Sequence, residues 1–145
     1  MGRSDAQRSP AQLYALVFGA VLVLAGILGF FVTTSFETGS DLPRETLILF
    51  DVNGWHNIVH LATGAIGLAV FRNYRASRSY ALGLGAVYVL VVILGFIAGD
   101  GGEILGLLPI NTEDNILHIL IAAAGIGAGL ATPAEPAPTT TTATA

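Results

Sequence analysis

The residues of this chain with types and spacing suited to chemistry lie in two short phrases. Residues 52–60 read V-N-G-W-H-N-I-V-H and residues 110–118 read I-N-T-E-D-N-I-L-H. Each phrase sets an asparagine three residues ahead of a histidine, Asn57 before His60 and Asn115 before His118. His56 precedes His60 by one helical turn, and the aligned position in the second phrase is Asp114, with Glu113 beside it. Three imidazoles and two carboxylates are a donor set for a divalent metal ion. Two opposed histidines, His60 and His118, would instead suit the axial positions of a haem. Imidazoles that titrate near neutral pH would suit proton or small-solute transfer. The plainest use is structural, a neutral imidazole hydrogen-bonded to an asparagine or to the backbone of a neighbouring helix.

Other signals are weaker. Asp51, Asn53, Thr112, Glu113 and Asp114 suit helix N-termini, where acceptors and negative charge meet free N–H groups. G-D-G-G-E at 99–103 lacks the alternating oxygen ligands of a calcium loop and reads as a turn. No phosphate loop, zinc-protease helix or serine elbow is present, so no enzyme is predicted and no catalytic residue is assigned. The chain has no cysteine, which excludes disulfides and thiolate sites.

The elements that carry the phrases are strongly apolar. Hydrophobic residues make up 53% of the 145 residues and charged residues 11%, with a mean hydropathy of +0.71. A soluble domain would carry roughly 25% charged residues. Runs of about 18 or more apolar residues are long enough to cross a bilayer. The pattern predicts spans over about 13–32, 55–71, 80–98 and 116–131, behind a polar lead of residues 1–12. Residues 132–145, built from Pro, Thr, Ala and one Glu, predict a disordered tail. The segment 46–50 (T-L-I-L-F) is expected to lie along the membrane surface. Arg3, Arg8, Arg72, Arg75 and Arg78 fall in the lead and the middle loop, whereas the two acidic loops hold only Arg44. Basic residues stay cytoplasmic, so the reading is a multi-pass protein of the cytoplasmic (inner) membrane with both termini inside. Trp55 then fits an outer interfacial anchor. The three middle-loop arginines serve as topology determinants, with anionic lipid head groups as company. The net charge of −4 points to no nucleic-acid partner.

The spans repeat. Shifted by 66 residues (80 minus 14), Tyr14-Ala15-Leu16 falls on Tyr80-Ala81-Leu82, and Ile27-Leu28-Gly29-Phe30 on Ile93-Leu94-Gly95-Phe96. Shifted by 58 (118 minus 60), Asn53, Asn57, His60 and Gly67 fall on Asn111, Asn115, His118 and Gly125. Two spans separate each helix from its copy, so the copies run in the same direction. The fold class expected is all-α transmembrane, a four-helix bundle of two parallel helical-hairpin repeats about a pseudo-two-fold axis along the membrane normal. The match also argues that the first span is kept as part of the fold and is not a cleaved signal.

The stretch F-D-V-N-G-W-H-N-I-V-H-L-A-T-G-A-I-G-L-A, followed by L-P-I-N-T-E-D-N-I-L-H-I-L, resembles the bacterial four-helix membrane proteins of the domain-of-unknown-function family DUF4383. The resemblance implies a small polytopic membrane protein and supplies no mechanism.

On helices, Asn57, His60, Gly64 and Gly67 share one face, as do Asn115, His118, Ala122 and Gly125. Small residues let backbones approach, and the polar groups bond across the contact. The sequence therefore favours a structural, accessory or interaction subunit that touches lipid and either a second copy or another membrane protein. A metal- or haem-binding module built on His56, Asn57, His60, Asp114, Asn115 and His118 is the alternative. Transport is the third reading, opposed by the absence of ionisable residues in the cytoplasmic halves of the spans.

Overall fold

The computed structural model describes residues 8–39, 42 and 44–134. Expectations for residues 1–7 with Arg3, for Ser40, Asp41 and Pro43, and for the tail from 135 onward lie outside the described residues. Among the described residues there are four helices: α1 (Pro10–Val32), α2 (Gly54–Val70), α3 (Tyr74–Ala98) and α4 (Thr112–Ala131). Each follows a residue whose short side chain accepts a hydrogen bond from the first turn. These are Ser9, Asn53, Asn73 and Asn111. Such caps satisfy backbone N–H groups that a helix start would leave bare.

The caps move the boundaries outward from the hydropathy windows. α1 starts at Pro10 where Leu13 was expected, and α4 at Thr112 where Ile116 was expected. The largest shift is in α3, which starts at Tyr74, so Arg75 and Arg78 lie on a helix and not in a loop. Hydropathy marks the apolar part of a helix, whereas the cap marks its beginning.

Both connections on the far side from the termini fold as antiparallel hairpins. β1 (Glu45–Leu47) pairs with β2 (Phe50–Val52), and β3 (Gly102–Ile104) with β4 (Leu108–Ile110). The 46–50 segment thus runs through a hairpin, with Ile48 at its tip in a left-handed conformation (φ 63°) and 79% exposed. The expected turn at Gly99–Glu103 leads into β3.

The packing inverts that of a soluble domain. Ala11, Ala15, Ala81, Gly19, Gly85 and the polar Asn57, Asn115, His56 and His118 are buried, while Phe31, Phe96, Ile97 and Leu130 face outward. Small residues inside and large apolar residues outside are what a lipid solvent selects. α1, α3 and α4 are long and apolar enough to cross a membrane, and the chain is a membrane protein. At 1.5 Å per residue, α2 with 17 residues rises only about 26 Å, short of a hydrocarbon core of about 30 Å.

α1 packs mainly along α2, and α3 along α4. Tyrosine hydroxyls tie these pairs together. Tyr14 donates to the Ile121 carbonyl at 3.2 Å and Tyr80 to the Thr63 carbonyl at 3.0 Å. At the hairpin end, Asn53 Nδ2 donates to the Leu107 carbonyl at 2.7 Å, and Asn111 Nδ2 to the Leu49 carbonyl at 2.9 Å. Each cap therefore also holds the opposite hairpin. At the other end, Thr132 accepts from Ala11 N at its hydroxyl and from Arg78 Nε at its carbonyl.

Candidate functional site

The histidines owe their positions to the caps. Asn53 Oδ1 accepts from His56 N at 2.9 Å, which fixes His56 in the first turn of α2. The ring of His56 turns back to the strand, with Nδ1 2.9 Å from the Asp51 carbonyl. A carbonyl only accepts, so Nδ1 carries the proton and Nε2 keeps its lone pair. One turn on, the His60 ring stands edge-on to His56 with centroids 4.4 Å apart. From α4, His118 brings its ring to 6.2 Å from His56. The three imidazoles offer one ligand atom each, all within 4.8 Å of one another. His118 is 3% exposed, and its Nδ1 is buried without a hydrogen-bond partner. An orphaned ring nitrogen beside two other imidazoles needs an explanation.

The other candidate residues have different duties. Asp114 Oδ2 accepts from Asn111 N and from Asp51 N, closing a capping box and binding β2 to α4. Glu113 is exposed and sits beside Leu49, Phe50 and Ile116, apart from the imidazoles. Asn57 and Asn115 lie against Gly29 and Gly95, where a methyl group would overlap the amide. Asn57 Nδ2 also donates to the Thr33 carbonyl at 3.2 Å, whereas Asn115 Oδ1 has no partner. The tertiary structure thus brings His56, His60 and His118 together, keeps Asp114 next to them, and leaves Glu113 outside.

Two apolar chambers meet at the imidazoles. One, of about 50 Å³, lies between α2 and α3 under the second hairpin and is lined by Thr63, Tyr88 and Pro109 among others. The second, of about 230 Å³, lies between α1 and α4 under the first hairpin, with Phe18, Leu22, Leu28 and Phe50 in its walls. His56, His60 and His118 line both. Neither chamber is lined by a serine, a cysteine or a lysine.

Tyr88, whose ring centroid is 5.0 Å from that of His118, and Asp51, which orients His56, were not singled out by the sequence as parts of this site. Signals for both existed. Under the shift of 66, Tyr88 falls on Leu22, and under the shift of 58, Asp51 falls on Pro109. Proline has no N–H to give. The bond that Asp51 N makes to Asp114 can therefore have no counterpart at Pro109, and the ring of His56 is used elsewhere.

No curated protein and no solved structure matches the chain at a significant level. The family model described as Domain of unknown function (DUF4383) matches residues 12–131, which hold all four helices but for the first two residues of α1, both hairpins and the three histidines. The chain belongs to that family.

Proposed function

We propose that this protein is a membrane-embedded binding module for one transition-metal cation, held by His56, His60 and His118. The observation that carries the reading is the convergence of three imidazoles within 4.8 Å. Imidazole suits zinc, copper, iron and nickel, and three protein ligands leave a fourth position open. In a tetrahedral site with metal–nitrogen bonds of 2.0–2.1 Å, ligand atoms stand about 3.3 Å apart, so binding would draw the rings inward by roughly 1 Å. The Asp51 carbonyl on His56 Nδ1 is the kind of outer contact that orients a ligating imidazole. Convergence on a point suits an ion and leaves no plane for a porphyrin between opposed histidines, so haem is the poorer fit.

The scaffold in this reading is a duplicated helical hairpin about a pseudo-two-fold axis along the membrane normal. The paired tyrosine and asparagine bonds support it. So does the seating of both amides on equivalent glycines. The arginine distribution supports a cytoplasmic membrane with both termini inside and the metal near the outer face.

A purely structural or accessory role is the second reading, favoured by the ring packing of His56 on His60 and of His118 on Tyr88. Metal titration separates the two. Chelator-stripped protein in detergent should take up about one equivalent of Co²⁺ with visible absorption of a tetrahedral site. His56→Ala, His60→Ala and His118→Ala should each weaken uptake by at least roughly 10-fold. If the wild type binds no Co²⁺ or Zn²⁺ and the alanine variants only melt earlier, the metal reading is wrong and the structural one stands.

A further inference from the structure

We infer that the chamber between α1 and α4 is a side-entry binding site for a lipid-soluble phenol, an apolar ring bearing one hydroxyl, whose oxygen meets the imidazole cluster. The inference rests on the reading of His56, His60 and His118 as a binding site and names what that site takes besides the ion.

The two chambers are copies. On α1, Val21, Leu22 and Ala25 shift by 66 onto Val87, Tyr88 and Val91, which line the α2–α3 chamber. On α4, His118 and Ile121 shift back by 58 onto His60 and Thr63, again lining residues of the other chamber. The copies differ in what fills them. The α2–α3 chamber contains the protein's own phenol, Tyr88, packed on His118, and retains about 50 Å³. At the equivalent position the α1–α4 chamber has Leu22, and Ala25 stands where the other has Val91. Its space is about 230 Å³. A cavity of about 150 Å³ lined by aliphatic and aromatic side chains is enough to take up benzene, so a substituted ring has room here.

The lining fits the same molecule. Phe18, Leu22, Leu28, Leu47 and Phe50 give apolar walls, and the imidazoles with Asp114 give a polar floor. The unpartnered Nδ1 of His118 shows that hydrogen-bonding capacity in this cluster is not used up within the protein. One hydroxyl on an apolar body matches that layout, either as a hydrogen-bond partner of an imidazole or as the fourth ligand of the ion. The mouth lies among Val21, Leu24, Leu28 and Ile48, all outward-facing on α1 and the tip of the first hairpin. Such a mouth opens sideways, toward the apolar surroundings of the helices, and a lipid-soluble ligand need not cross water to reach it.

The test uses the full chain in detergent and 4-fluorophenol as probe, followed by fluorine NMR. Wild type should give a bound resonance distinct from that of the micelle pool in metal-stripped protein, and a paramagnetically shifted one after Co²⁺ loading. 4-Fluorotoluene, which lacks the hydroxyl, should bind roughly 10-fold more weakly. Leu22→Tyr, which installs the residue of the other copy, should abolish the bound resonance and keep Co²⁺ uptake. Ala25→Val, a milder change toward the other copy, should weaken binding roughly 10-fold and guards against misfolding of the tyrosine variant. The phenol inference is overturned by any one of three results: no bound resonance in wild type, equal binding of 4-fluorotoluene, or an undiminished resonance in Ala25→Val and in folded Leu22→Tyr. Absence of Co²⁺ uptake overturns the metal reading alone, because the phenol signal is read first in metal-free protein.

Discussion

At the scale of residues, Gly29 and Gly95 set how closely the helices of each pair approach. A helix normally gains about 1 kcal/mol when an interior glycine becomes alanine. Here the new methyl would overlap Asn57 or Asn115, and overpacking of this kind costs about 1–3 kcal/mol. The clash should win. Gly29→Ala and Gly95→Ala are each expected to lower stability by about 1–2 kcal/mol in detergent unfolding. Combining Gly29→Ala with Asn57→Ala should cost less than the sum of the single changes, since the pair is in contact. Additive costs would show that the amide does not depend on the glycine. The sequence matched the two glycines to one another and placed both asparagines on helix faces, but only the packed structure sets glycine against asparagine.

At the scale of elements, the asparagine caps have two jobs. Asn53 and Asn111 each accept from their own helix and donate to the opposite hairpin. Losing a cap alone costs about 0.5–2 kcal/mol, and a typical hydrogen bond adds about 1 kcal/mol. Asn53→Ala and Asn111→Ala should therefore each destabilise by about 1–3 kcal/mol in thermal or denaturant unfolding. Asn73, which caps α3 with no bond to a hairpin, provides the comparison, and Asn73→Ala should fall at the lower end, near 1 kcal/mol. Equal losses at all three sites would remove the cross-hairpin bonds from the account. Asparagine at a helix start is legible from sequence. The hairpins were not, because each strand has only three residues, too few for an alternation of apolar and polar side chains to stand out.

At the scale of the whole molecule, the expected placement of the termini and the hairpins on opposite sides of the membrane can be tested directly. The chain has no cysteine, so single cysteines report without background. In cells treated with a membrane-impermeant thiol reagent, Leu105→Cys at the second hairpin tip should label, and Ala134→Cys beyond α4 should label only after the membrane is opened. The reverse pattern would invert the orientation and move the histidine cluster to the cytoplasmic side. Both positions are exposed, so failure to label would reflect sidedness and not burial.

The amino-acid sequence by itself determined the medium and the linear plan. Long uncharged runs have only one solvent that suits them, and the matched offsets of Asn, His and Gly identify His60 and His118 as corresponding positions. Tertiary structure decided which groups meet. The i, i+4 spacing sets His56 beside His60, but nothing in it says that both meet His118, that Glu113 turns away, or that Asp114 is occupied with backbone N–H groups. Those outcomes depend on helix rotation and on the fold of the loops between helices. Periodicity gives the face on which a side chain lies, and packing alone gives the neighbour that the face meets.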